Sequence, residues 1–258
     1  MLGCFAWGRY VGSLGLFFLF LSGAALADHS DRVLRIGVED HAFYPLFSFT
    51  GDEQKKSVLE TILECFAEQY DVTFEYVPLP ITRFKHWYEK DHIDFRVPDN
   101  PLWNSEQSES LKFSEPMMYL SQSTVVLAEN QHLRLQQFER LGTLYGFTPS
   151  QHWQSRIESG ELELVTDSSI KLLIRLLYSG VVQGLDLDIA VVRHYAEELG
   201  YNPEQLVLAD GIQQSTIGYR MSTLKHPALL KQLNEFIATH EHKIQSWLDA
   251  KGINAVGE

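Results

Sequence analysis

Short runs rich in β-branched and aromatic residues alternate with segments of helical period from residue 33 onward, and this alternation restricts the fold more than any other feature. Residues 33–38 (VLRIGV) read as a first strand. Residues 54–70 repeat apolar side chains at helical spacing, with Val58, Ile62 and Phe66 on one face and Leu59, Leu63 and Tyr70 beside them. Residues 72–78 (VTFEYVP) alternate as a strand, 81–89 form a short helix, and 93–97 (IDFRV) make a further strand stopped by Pro98. The order β-α-β-α-β predicts an α/β protein with a mostly parallel sheet, because parallel neighbours need a crossover helix between them.

The second half repeats the alternation. Residues 123–128 (STVVLA) and 141–145 read as strands. Gly146-Phe147-Thr148-Pro149 closes the second of these and opens a helix, with Thr148 as N-cap and Pro149 at the first helical position. Residues 162–165 form a short strand, 168–178 a helix, 187–192 a strand and 193–199 a helix. Residues 206–209 and 215–221 are strands, and 227–248 form a long closing helix broken near His240.

Ahead of this stands a different kind of segment. Residues 1–27 carry a single charge, Arg9, then an apolar run from Val11 to Leu21, then small residues ending in Ala25-Leu26-Ala27. This pattern predicts a secretory signal peptide cleaved before Asp28 and a periplasmic location. The apolar run is shorter than the roughly 20 residues that span a bilayer, so stable membrane insertion after cleavage is not expected. Loss of the segment removes Cys4 and leaves Cys65 as the single cysteine, so no internal disulfide is expected. The formal charge of −13 and the lack of a basic stripe argue against a nucleic-acid partner. The ten histidines are scattered without metal-ligand spacing, so neither a metal nor a cofactor is expected. A monomer is expected.

The order of elements carries a resemblance. RIGVEDHAFYPLFSF (35–49), VTFEYVPLPITRF (72–84), HIDFRVPDNP (92–101), LKFSEPMMY (111–119), LGTLYGFTPS (141–150) and GLDLDIAVVRHYA (184–196) together resemble the periplasmic solute-binding proteins of the polar amino-acid type, extracellular solute-binding family 3. The resemblance implies a type II periplasmic-binding fold with two lobes, each a mostly parallel sheet flanked by helices, joined by two crossover hinge strands near residues 125–129 and 207–210. Lobe 1 would comprise residues 31–127 and 209–258, and lobe 2 residues 128–208. Hinge closure would trap a small polar solute in the cleft, for delivery in trans to an ABC-type permease or a membrane sensor. Two other readings stay open: a degenerate member that binds no ligand and works through protein contacts, and a dehydratase-like enzyme on the same scaffold, with Glu39 or Asp99 as its acid or base. No catalytic residue is assigned.

The residues expected at the cleft follow from that frame. Glu39, Tyr44 and Phe47 stand in or beside the loop after the first strand, where aromatic faces and a carboxylate suit a cationic or hydroxylated ligand; Tyr44 and Phe47 would otherwise simply pack the loop. Asp99 and Asn100, held between prolines, and nearby Trp103 follow the third strand, either as binding groups or as a plain turn. Gly146, Phe147 and Thr148 precede a helix, whose N-terminus suits an anion. Two departures from the family pattern stand out. Residues 103–108 (WNSEQS) lack the arginine that clamps a ligand carboxylate, and Arg193 stands where an acid for the α-amino group is usual, facing either the cleft or solvent.

Overall fold

A computed structural model describes residues 33–49, 55–104 and 110–253. The expected signal peptide lies outside the described residues. In chain order the elements are β1 (Val33–Glu39), α1 (Val58–Tyr70), β2 (Thr73–Leu79), a 3-10 turn (Ile81–His86) running into α2 (Trp87–Lys90), β3 (Phe95–Asp99), β4 (Lys112–Phe113), β5 (Met118–Gln122), β6 (Thr124–Leu127), β7 (Arg140–Leu144), α3 (Gln151–Glu158), β8 (Glu163–Asp167), α4 (Ile170–Tyr178), β9 (Gly184–Asp186), α5 (Ile189–Glu198), β10 (Leu206–Leu208), β11 (Ser215–Thr223), α6 (Pro227–Thr239) and α7 (Glu241–Ala250).

These elements make two sheets, one in each lobe. The first is six-stranded, in the order β2-β1-β3-β11-β4 with β5 paired to β11. Its β1 runs parallel to β2 and β3, while β11 runs antiparallel to β3, β4 and β5. The second is five-stranded, in the order β10-β6-β9-β7-β8, with β7 parallel to β8 and β9. The chain passes from the first sheet to the second at Ser123 and returns through residues 209–214. Among the described residues the strand at Thr124–Leu127 pairs with β9 and β10, so it belongs to the second sheet and not to the segment expected to end at 127.

Local chemistry explains where several elements begin. The first helix starts at Val58, later than its apolar period suggests, because Ser57 and Glu60 form a capping box: the Ser57 hydroxyl accepts from the Glu60 N–H at 3.3 Å, and the Glu60 carboxylate accepts from the Ser57 N–H at 3.4 Å. Its Val58, Leu59, Ile62, Leu63 and Phe66 are buried. The closing helix breaks at His240, dividing α6 from α7.

Four expectations are corrected. The third strand runs through Pro98 to Asp99, because the proline falls where the pairing with β11 shifts register between Arg220 and Ser222 and no ladder donor is required. The segment 81–89 divides into a 3-10 turn and a single α-helical turn. Thr148 is not a helix cap: α3 begins at Gln151 after Ser150. Residues 187–192 are not a strand. The strand ends at Asp186, and the Asp188 carboxylate accepts from the Ala190 N–H at 2.8 Å to cap α5, so the apolar run is the buried start of a helix. A short apolar run of this kind has no period that separates the two states.

Candidate functional site

A cleft of about 950 Å³ opens between the sheets. The first lobe lines it with Glu39 from the end of β1, Ile81 and Phe84 from the 3-10 turn, and Leu102 and Trp103. The second lobe contributes Gly146, Phe147, Thr148, Pro149, Gln151, His152 and Gln154. The returning passage supplies Gln213, and the adjoining strands β5 and β11 of the first sheet supply Leu120, Ser215, Thr216, Ile217 and Tyr219. The cleft therefore lies at the carboxyl ends of β1 and β7, where open α/β sheets place ligands.

Glu39 is the chemically exceptional group. It is only 6% exposed, and its Oε2 is buried without a hydrogen-bond partner. Burial, reinforced by the neighbouring Asp40 carboxylate, pushes Glu39 up to about 8. Behind it stands Tyr219 of β11, whose burial, with the negative fields of Glu39 and Asp188, keeps its hydroxyl protonated. The Tyr219 ring meets Trp103 at 6.0 Å, and Trp103 meets Phe84 at 6.1 Å, both edge to face. These three rings form a continuous aromatic wall.

The opposing wall is the loop after β7. Gly146 has φ +91°, and a Cβ there would lie 2.7 Å from Ile81 Cγ2, so the loop approaches the first lobe closely only because the residue is glycine. Phe147 packs on Phe43 of the first lobe with ring centroids 5.5 Å apart. The mouth of α3 already holds a carboxylate. Asp186 accepts from the Ser150 N–H at 2.7 Å and from the Ser150 hydroxyl at 2.7 Å. The Asp186 carboxylate thus takes the cap residue's donors at the N-terminus of the helix, where a ligand anion would otherwise meet them. His152 completes this wall. Its Nε2 is buried without a partner, and burial pulls its pKa down against the pull of Asp186, which favours the neutral ring.

Of the residues expected at the cleft, Glu39, Trp103, Gly146, Phe147 and Thr148 come together there. Tyr44, Phe47, Asp99, Asn100 and Arg193 lie outside the lining. Tyr44 stacks on His194 at 4.4 Å and accepts from Lys251 Nζ at 2.6 Å. Phe47 is fully buried against Phe43 and Tyr219. The Asp99 carboxylate is consumed by a buried network. Arg96 Nε donates to it at 2.7 Å, Asn104 Nδ2 at 2.8 Å, the Asn100 N–H at 2.7 Å, and Ser222 through its hydroxyl. Both Arg96 and Asp99 are wholly buried, and the guanidinium lies 3.9 Å from the Phe84 ring centroid. Asn100 donates to Gly218 O at 2.8 Å and caps a second 3-10 turn, Pro101–Trp103, by accepting from the Leu102 N–H. Arg193 sits inside α5, where its guanidinium donates to Leu206 O at 2.8 Å and so holds the end of the second sheet.

Sequence reasoning missed Ile81, Phe84, His152 and the stretch from Gln213 to Tyr219. The last could have been found, since residues 215–221 were legible as a strand and the returning crossover was expected just before it.

Among the described residues no group of three histidine, cysteine or acidic side chains could hold a metal ion, and no helix is long and apolar enough to cross a membrane. No protein-family model matches the sequence, and no curated protein matches it. Solved structures do resemble it. The GluR0 ligand-binding core in complex with L-glutamate has a TM-score of 0.68 at 15% identity, over 86% of this chain and 98% of that one. The substrate-binding protein of an ABC uptake transporter from Streptococcus pneumoniae, with bound histidine, has a TM-score of 0.68 at 16% identity, over 87% and 94%. An ancestral amino-acid-binding protein described as a precursor of cyclohexadienyl dehydratase has a TM-score of 0.62 at 14% identity, over 84% and 94%. The chain has the two-lobed periplasmic-binding fold of these structures.

Proposed function

We propose that this protein binds a small polar solute in the cleft between its lobes, by closure about Ser123 and residues 209–214. The observation that carries the reading is the cleft itself, whose walls come from both lobes and from the returning passage between them. A solute touching all of these surfaces binds the closed arrangement better than an open one, which is the differential affinity a hinge needs. The bound glutamate and histidine of the structural neighbours support a small nitrogen-containing solute as ligand.

In this reading residues 1–27 direct the chain to the periplasm, and the loaded protein works in trans, presenting solute to an ABC-type permease or to a membrane sensor. Glu39, Trp103, Gly146, Phe147 and Thr148 are the proposed contacts, joined by Phe84, His152 and Tyr219. The dehydratase-like reading loses one of its two acids, since Asp99 is held by Arg96. The ligand-free reading leaves the unpartnered Glu39 carboxyl without a purpose.

The test is a thermal-shift screen of the chain from Asp28 with amino acids, amines, organic acids, peptides and sugars, followed by small-angle scattering with any hit. A solute at 100 times its Kd stabilises the native state by roughly 2.7 kcal/mol. A stabilising solute that also compacts the protein supports the reading. Stabilisation by none of these classes removes it.

A further inference from the structure

We propose that the solute is an organic cation without a carboxylate, an amine or quaternary ammonium compound, whose positive group is received by Glu39 between the Phe84–Trp103–Tyr219 wall and Phe147. This inference rests on the solute-binding reading and names its ligand class.

Three independent features point the same way. The first is the unpartnered Glu39 Oε2 in a side chain only 6% exposed, facing a cleft and not packed into the core. A buried carboxyl without a donor is costly unless a partner arrives; a quaternary ammonium supplies the charge and a protonated amine supplies a donor as well. The second is the composition of the walls. Among the described residues the lining holds the rings of Phe84, Trp103, Phe147 and Tyr219, one carboxylate and the His152 imidazole, which burial favours as neutral, with neither lysine nor arginine. Aromatic faces attract cations through their quadrupoles and offer an anion nothing. Arg96 is not in the lining: it is wholly buried, lies on Phe84, and donates to Asp99, Asn104 and the Phe84 carbonyl oxygen. The third is the mouth of α3, where Asp186 already takes the Ser150 N–H and hydroxyl. A carboxylate of the protein thus already stands at the cap of the helix terminus that would receive a ligand carboxylate, and like charges there repel. A solute bearing both an amine and a carboxylate would therefore satisfy Glu39 and bury an unpaired anion.

Matched pairs with and without a carboxylate test the assignment by isothermal titration: agmatine against arginine, cadaverine against lysine, and choline against glycine betaine, choline carrying a hydroxymethyl group in place of the carboxylate. Citrate and glucose serve as anionic and neutral probes. The expected result is that at least one carboxylate-free cation binds at least tenfold more tightly than its partner, and that Glu39→Gln weakens that binding at least tenfold while the protein still melts cooperatively. The pair comparison is made on the wild-type chain, so it stands even where the variant does not fold. Equal or tighter binding of the carboxylate-bearing partners overturns the proposal, as does a folded Glu39→Gln variant with unchanged affinity. Binding of citrate or glucose alone overturns it and leaves the solute-binding reading intact. Binding of no probe here, together with a blank result in the wider screen, removes both.

Discussion

The Tyr195 hydroxyl on α5 donates to the Ala42 carbonyl oxygen at 3.0 Å, and so ties the second lobe to the loop that leaves β1 of the first. The bond lies beside the Tyr44–His194 ring contact at 4.4 Å and the Lys55–Glu198 ion pair at 2.8 Å. Together they close the flank of the molecule where α5 meets the loop. Tyr195→Phe removes one neutral hydrogen bond, which is worth about 1 kcal/mol. The melting temperature should fall by about 2–4 °C, and scattering should report a more open particle. An unchanged melt and profile would mean that this contact does not hold the lobes together. Lys55→Ala should matter less, since both partners are partly exposed and such pairs contribute ~1 kcal/mol at most.

Gly146→Ala tests the close approach between lobes. The substitution places a side chain at φ +91° and a methyl group 2.7 Å from Ile81 Cγ2. Gly160→Ala is the control, with φ +77° and nothing within 4 Å of the new methyl. Each carries a left-handed backbone cost of about 1–2 kcal/mol, but only Gly146→Ala should also open the cleft. Denaturant melts and scattering of the two variants separate strain from collision, and Ile81→Ala added to Gly146→Ala should recover part of the loss.

Arg96→Met alone should destabilise the protein by about 3–5 kcal/mol, because it leaves the buried Asp99 carboxylate without its guanidinium. The double variant Arg96→Met with Asp99→Leu should cost less than either single change. Equilibrium unfolding of the three proteins gives the coupling energy, and a coupling near zero would contradict the buried pair.

Glu39 sets a pH dependence whose sign follows from its raised pKa. The folded state holds the proton up to about 8, whereas the ordinary value is 4.5. Its contribution to stability is therefore complete below pH 4.5 and is lost as pH rises towards 8. The groups bearing on the site are Asp40 beside it, Tyr219 of β11 and, beyond that ring, Asp188 of α5, itself raised to about 6 by burial. Melting temperatures of wild type and Glu39→Gln should diverge between pH 5 and pH 8, with the variant the more stable at the alkaline end, by on the order of a few kcal/mol. Parallel curves would show that the carboxyl is not held neutral. A cation bound at pH 7 should also release a proton from Glu39, visible as a buffer-dependent heat of binding.

Much of the architecture was legible because it is local. Helical period placed the helices around Ile62 and Leu173, and the break at His240 was readable in the chain. The run after Asp186 was not. Its apolar residues fit a strand as well as a buried helix start, and only the Asp188 cap decides between them. The candidate site divides along the same line. Glu39 and Trp103 were accessible as polar and aromatic residues at the carboxyl ends of strands. Asp99 satisfied the same rule and lies outside the cleft lining, because Ser222 and Arg96 converge on it from β11 and β3.

The sequence by itself determined the alternation of strands and helices, the acidity of the chain and the lack of an arginine at residues 103–108, since each of these is a property of neighbouring residues. Tertiary structure decided which acid stays unpaired. Glu39 and Asp99 both end parallel strands, but the return of β11 brings Ser222 to Asp99 across 123 positions of sequence, while it leaves Glu39 Oε2 without a donor. Pairing and desolvation depend on what lies across the fold, and no local pattern encodes that.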